Sequence, residues 1–152
     1  MSKIKIYAKS ILIPVIIGGV IGLIISKSID YNSLQKPPLS PPSILFPIVW
    51  TILYVLMGIS YGILDSKSLI ELKTKIIYSL QLFVNATWSL IFFTLKWRLF
   101  AFIWIIILDV LVIVMIIDFF KKNKTAGLLQ SPYLLWIIFA SYLNLGVYLL
   151  NK

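Results

Sequence analysis

Residues 36–64 read KPPLSPPSILFPIVWTILYVLMGISYGIL. No charge interrupts Ser43–Leu64, and a run of about 20 apolar residues is what an α-helix needs to cross a bilayer. Yet five prolines, at 37, 38, 41, 42 and 47, crowd its entrance. The Pro41–Pro42 pair holds Pro41 extended and offers Pro42 as a first-turn residue, so the spacing predicts a helix that starts abruptly at Pro42. Pro47 lacks the N–H that would bond the Ser43 carbonyl one turn back, which predicts a kink just before Trp50. Beyond it, helical spacing aligns Trp50, Tyr54, Met57 or Gly58, and Tyr61 on one stripe. Such a stripe serves either plain packing or a ligand.

The rest of the chain has the same character. Hydrophobic residues make up 61% and charged residues 12% of 152 positions, against roughly 25% charged in soluble domains. Besides the opening run, apolar stretches cover about 6–26, 76–95, 99–119 and 128–150. Each is too long for a barrel strand, so residues 1–152 are expected to form a single all-α domain, an integral membrane bundle of five transmembrane helices. The Lys-rich start resembles a signal peptide, but no small-x-small cleavage site follows in IISKSID, and it reads as a retained first helix. Lys3, Lys5, Lys9, Lys67, Lys73, Lys75, Lys121, Lys122 and Lys124 fall on the N-terminal side, against Lys27, Lys36, Lys96, Arg98 and Lys152 on the other. This bias places the N-terminus in the cytoplasm. The net charge of +9 lies at segment ends rather than in one tract, which argues for orientation in a membrane and against nucleic acid. The chain has no cysteine and no histidine. Disulfides, thiol chemistry, His-ligated metals and imidazole catalysis are therefore excluded.

Polar groups inside the apolar runs are the candidate site. Asn85, Trp88 and Phe92 share one helical face, and Trp136, Ala140 and Asn144 another. An amide in hydrocarbon needs a partner, so both asparagines should face the bundle interior as interhelical glue or as ligand contacts. Asp109, mid-span, should point inward in a structural role. It has no partner carboxylate for an aspartyl protease, because Asp118 lies half a turn out of phase and roughly 13 Å along the axis. Gly18 and Gly22 form a small-xxx-small surface suited equally to internal packing or to a homodimer.

KPPLSPPSILFPIVWTILYVLMGIS, NATWSLIFF, Asp109 and PYLLWIIFASYLNLGVYLLN together resemble the motifs of the TspO/translocator family of tryptophan-rich sensory proteins. The resemblance implies a five-helix bundle, commonly dimeric, with a pocket capped by the first loop. It implies porphyrin or other hydrophobic small-molecule ligands, membrane lipid contact, and neither cofactor nor metal. By the same resemblance Trp50 and Trp136 match paired pocket tryptophans, Asn85 a pocket amide, Ala140 a small pocket residue, and Tyr31 with Pro41 and Pro42 the lid; Tyr54, Trp88, Phe92 and Asn144 complete the expected ligand set. The chain departs from the family pattern at Asp30, Leu39 and Tyr148, where the family has tryptophan. A porphyrin-binding sensor in a bacterial plasma membrane is the leading functional expectation. A light- and oxygen-dependent porphyrin-degrading enzyme, for which the sequence offers no catalytic acid–base group, and a small tetrapyrrole or lipid transporter are the alternatives.

Overall fold

The computed structural model describes residues 2–152. Six α-helices are present among them: α1 Lys3–Ile25, α2 Leu45–Ser66, α3 Leu72–Ser89, α4 Arg98–Lys122, α5 Lys124–Leu129 and α6 Ser131–Asn151. α3 runs on through a π-helical turn, Leu90–Leu95, and α5 with α6 forms one broken span, so five stretches are long and apolar enough to cross a membrane. The protein is an integral membrane five-helix bundle.

Local chemistry fixes the ends. The Ser2 hydroxyl caps α1 by accepting from the Lys5 amide at 3.3 Å, and Asn123 caps α5 by accepting from the Ala126 amide at 3.0 Å. A capping box of Glu71 and Thr74 opens α3. These groups satisfy amides that the first turn of a helix leaves unpaired. α3 ends where Lys96 takes left-handed backbone, φ 60°.

The entrance to α2 differs from the sequence expectation. A turn spans Ser43–Ile44, with the Leu45 amide donating to the Pro42 carbonyl at 3.1 Å, and the helix begins at Leu45. Pro42 therefore precedes the helix. Pro47 is its third residue, where an N–H has no intrahelical acceptor in any case, so the proline breaks no bond there. The helix-interior proline is Pro14, buried in the middle of α1.

α1 packs along α2, α3 along α4, α4 along α6, and α2 meets α5. Met57, Leu64, Ile105, Leu108, Val112, Met115, Phe119 and Ile137 are fully buried where α2, α4 and α6 converge. The outer faces carry exposed Leu23, Ile24, Ile106, Ile107, Ile113 and Ile117, as expected of helices whose solvent is lipid. The core runs the length of the bundle. Beside it, under the loop joining α1 to α2, the helices enclose a cavity.

Candidate functional site

The cavity has a volume of about 680 Å³ and is lined by α1, the α1–α2 loop, α2, the end of α3 and α6. It exists because large rings hold the helices apart there. The Trp50 ring lies 5.7 Å from Tyr54, 6.5 Å from Trp88 and 6.4 Å from Tyr133. On the opposite flank Trp136 meets Phe46 at 5.8 Å, and Phe46 meets Tyr31 at 5.0 Å. Aromatic pairs at these separations contribute beyond simple area burial, so the walls are stiff.

Beneath the walls runs a chain of buried hydrogen bonds. The Tyr54 hydroxyl donates to Asn85 Oδ1 at 2.8 Å, Asn85 Nδ2 donates to the Tyr133 hydroxyl at 2.6 Å, and that hydroxyl donates to Gln81 Oε1 at 2.8 Å. Three helices are thereby joined by groups that would each be costly to leave unpaired in hydrocarbon. Higher up, Trp88 Nε1 donates to Asn144 Oδ1 at 2.9 Å, while Asn144 Nδ2 donates to the Arg98 carbonyl at 2.8 Å. Trp136 is the exception. Its Nε1 is buried with no partner in the protein, a donor whose unmet bond costs about 1–3 kcal/mol.

The α1–α2 loop lies over one side of the cavity, which it lines with Ile29, Tyr31, Ser43 and Ile44, and is fastened at several points. Within it, the Tyr31 hydroxyl donates to the Pro41 carbonyl at 2.6 Å, and Lys36 Nζ donates to the Tyr31 carbonyl at 3.0 Å while lying 4.7 Å over the Tyr31 ring. Burial pushes the Tyr31 phenol above the ordinary tyrosine range, opposed by a hydrogen bond with Ser40. The hydroxyl therefore keeps its proton, and its bond to Pro41, at neutral pH. Between loop and helices, the Gln35 backbone and the Asn151 side chain exchange two bonds of 3.0 and 2.7 Å, and Tyr142 donates to the Pro38 carbonyl at 2.7 Å. Pro37 lies so close over Gly146 that a side chain there would collide with its ring. Arg98 grips Asp30 through both carboxylate oxygens, at 2.8 and 3.1 Å.

Of the residues expected to contact a ligand, Trp50, Trp136, Ala140, Tyr31, Tyr54, Trp88, Phe92 and Asn144 all line this cavity. Asn85 and Pro42 do not. The Asn85 amide is consumed by Tyr54 and Tyr133 below the wall, and Pro42 is exposed, with Ser43 and Ile44 forming the wall beside it. Asp109 is half-buried between α4 and α6, where the Ser141 hydroxyl donates to its Oδ2 at 2.8 Å. Trp104 is also outside the cavity, donating to the Val84 carbonyl at 3.1 Å and to Thr87 Oγ1 at 2.8 Å.

The sequence reading missed the α1 wall, formed by Val15, Gly18, Gly22 and their neighbours, and it missed Phe93. The glycine spacing was the available signal for the first. Phe93 joins Phe92 on the wall within the π-helical turn, whose wider winding changes the angle between successive side chains and has no signature in the residue types.

A five-helix membrane bundle with an aromatic-walled cavity is the architecture of a membrane receptor or sensor. Residues 10–150 match the TspO/MBR family, and the chain belongs to it. It is 38% identical over 154 aligned positions to the tryptophan-rich protein TspO of Archaeoglobus fulgidus, covering 99% of each chain. It is 36% identical to the protein of that name in Chlorobaculum tepidum, over 80% of this chain and 78% of that one. The similarity extends to the tryptophan-rich sensory protein of Cereibacter sphaeroides, 32% identical over 80% of this chain and 76% of that one.

Proposed function

We propose that this protein binds porphyrins of the protoporphyrin IX type, and related flat hydrophobic molecules, between Trp50 and Trp136, in keeping with the sensory role that its relative's name records. The observation that carries the reading is the cavity itself: about 680 Å³, walled by Trp50, Trp88, Trp136, Tyr54 and Phe92, within the roughly 300–1,000 Å³ of small-molecule sites. The polar groups of Tyr31, Tyr54, Trp88 and Asn144 on its wall are bonded within the protein, so the surface offered to a ligand is mainly apolar and aromatic. Protoporphyrin IX should quench the tryptophan fluorescence saturably, since a chromophore in the cavity sits beside three of the five tryptophans. Trp50→Phe and Trp136→Phe should each weaken binding by about 5- to 150-fold, and Trp104→Phe should not. Unsaturable quenching, or equal affinity in all three variants, overturns the assignment.

By likeness to its family the protein is further read as a homodimer in a bacterial plasma membrane, and the bias of cationic residues described above puts its N-terminus inside. Single cysteines at the exposed positions Asn32, Lys67 and Lys124, in a chain without native cysteine, test the orientation. An impermeant maleimide on whole cells should label only position 32. Labelling at 67 and 124 instead reverses the orientation.

A further inference from the structure

Loop and helix meet at one charged cluster, and its charges do not balance. The Asp30 carboxylate lies 2.8 Å from Arg98 and 3.6 Å from Lys96; among the described residues it is the one carboxylate within salt-bridge reach of either. Two cations thus share one anion. The Arg98 side chain is only 11% exposed, and its Nε is buried without a partner, so the guanidinium retains an unused donor. A buried cation with an unused donor is an unsatisfied group in want of an acceptor.

The cluster adjoins the cavity. The Arg98 guanidinium lies 5.0 Å from the centre of the Phe92 ring, and Phe92 is part of the wall. Ile29 and Tyr31, on either side of Asp30 in the chain, line the same space. Asn144, another wall residue, is bonded to the Arg98 backbone. Asp30, Lys96 and Arg98 are not themselves on the wall but stand directly behind it, so a molecule that fills the cavity and extends past Phe92 meets the two cations with Asp30 as its competitor.

We propose that Arg98 and Lys96 form a carboxylate subsite at the lip of the cavity, occupied by Asp30 when the loop is closed and empty, and taken over by the carboxylate of an acidic, flat amphiphile when it binds. The inference rests on the proposed function and adds the chemical class that the site prefers: an apolar body for the tryptophan walls with an anionic edge for Arg98. Exchange of one carboxylate for another leaves the pairing of the cluster unchanged, so the loop can be displaced without stranding a buried charge. A neutral ligand of the same shape cannot take the place of Asp30 and leaves it paired with Arg98.

Comparing protoporphyrin IX with its dimethyl ester separates this inference from the binding reading on which it rests. If neither quenches saturably, the cavity assignment fails and the subsite with it. If both bind, the diacid should bind the parent protein a few-fold more tightly than the ester, less than the roughly tenfold of an unopposed charge-assisted pair because Asp30 has to be displaced. Asp30→Asn removes the competitor without removing the cations, so it should widen the acid-to-ester ratio several-fold. Adding Arg98→Gln in that background, which strands no partner charge, should bring the ratio down close to the value set by partitioning of acid and ester into detergent, measured without protein. Raised salt should narrow the ratio as long as Arg98 is present, because ion pairing near the surface is screened. A ratio unaffected by Arg98→Gln, or an Asp30→Asn variant that weakens acid and ester equally, overturns the subsite and leaves Asp30 as a simple latch.

Discussion

The α1–α2 pair is built differently at its two ends. At one end the helices touch backbone to backbone: a Cβ on Gly58 would collide with the Ser10 carbonyl and the Ile11 backbone, and one on Gly62 would meet the Tyr7 ring. At the other end they part, and Gly19 and Gly22 have nothing within 4 Å of where a Cβ would stand. The crossing is marked by Gly18, which lies against the Tyr54 ring. Small residues let helices approach where no hydrophobic force draws them together in lipid; aromatic residues hold them apart. One helix pair thus supplies a rigid foundation and a void, and the order of glycine and aromatic residues along it decides which is which.

The contrast is broken most directly at Gly58. Gly58→Val pushes a branched side chain into the α1 backbone, which cannot yield like a flexible side chain, and should destabilise the protein by about 3 kcal/mol. Thermal unfolding in detergent measures it. A variant as stable as the parent would show that the tight end is not held by close backbone approach.

Next in size is the hydrogen-bond chain that separates foundation from void. Tyr133→Phe removes a hydroxyl that accepts from Asn85 and donates to Gln81, leaving two buried groups unpaired at a cost of about 2 kcal/mol. Tyr133 is not on the cavity wall, so protoporphyrin affinity should stay within about twofold of the parent. If stability holds while affinity falls, the chain belongs to the site rather than to the foundation.

Asp109 belongs with the foundation and should matter less. Asp109→Asn keeps an oxygen for the Ser141 hydroxyl and should be silent. Asp109→Leu removes that acceptor, but the Ile137 carbonyl lies 2.8 Å away as an alternative acceptor for the same Ser141 proton, so the loss should be about 1 kcal/mol. Equal melting temperatures for the parent and the Leu variant would mean that the Asp109–Ser141 pair contributes nothing.

The foundation was largely legible in the sequence, and the void only in part. Length and apolarity locate all five spans, because the bilayer leaves an isolated segment little choice but a helix. Trp50, Tyr54, Trp88 and Trp136 stand out for the same reason: aromatic and polar residues on one face of an apolar helix are few enough to read. The helix starts three residues beyond the expected Pro42 because a turn at Ser43–Ile44 comes first, and that shift alone turns Pro47 from an expected kink into a harmless first-turn residue. Spacing gives Asn85 a face but not a depth and leaves glue and ligand contact both open; the family resemblance implies the wall, and the bonds to Tyr54 and Tyr133 make it glue. The pairing of Asp30 with Arg98 joins positions 68 residues apart, and nothing local announces it. The α1 wall was hidden because α1 is apolar on every side, so no face of it stands out.

That last point sets up the smallest expected effect. Gly18 and Gly22 share a helical face, yet only Gly18 has a close neighbour. Gly22→Ala adds a methyl group to open space and removes a flexible residue from a helix interior, so stability should be unchanged or higher by up to about 0.5 kcal/mol. Gly18→Ala, set against Tyr54, should instead lower it. Gly22 lines the cavity, and the methyl takes little of 680 Å³, so protoporphyrin affinity should also hold. Should Gly22→Ala lower the melting temperature only in conditions where the protein is a dimer by light scattering, the open flank of α1 would be the surface on which a second copy rests, and the void would have a wall supplied from outside the chain.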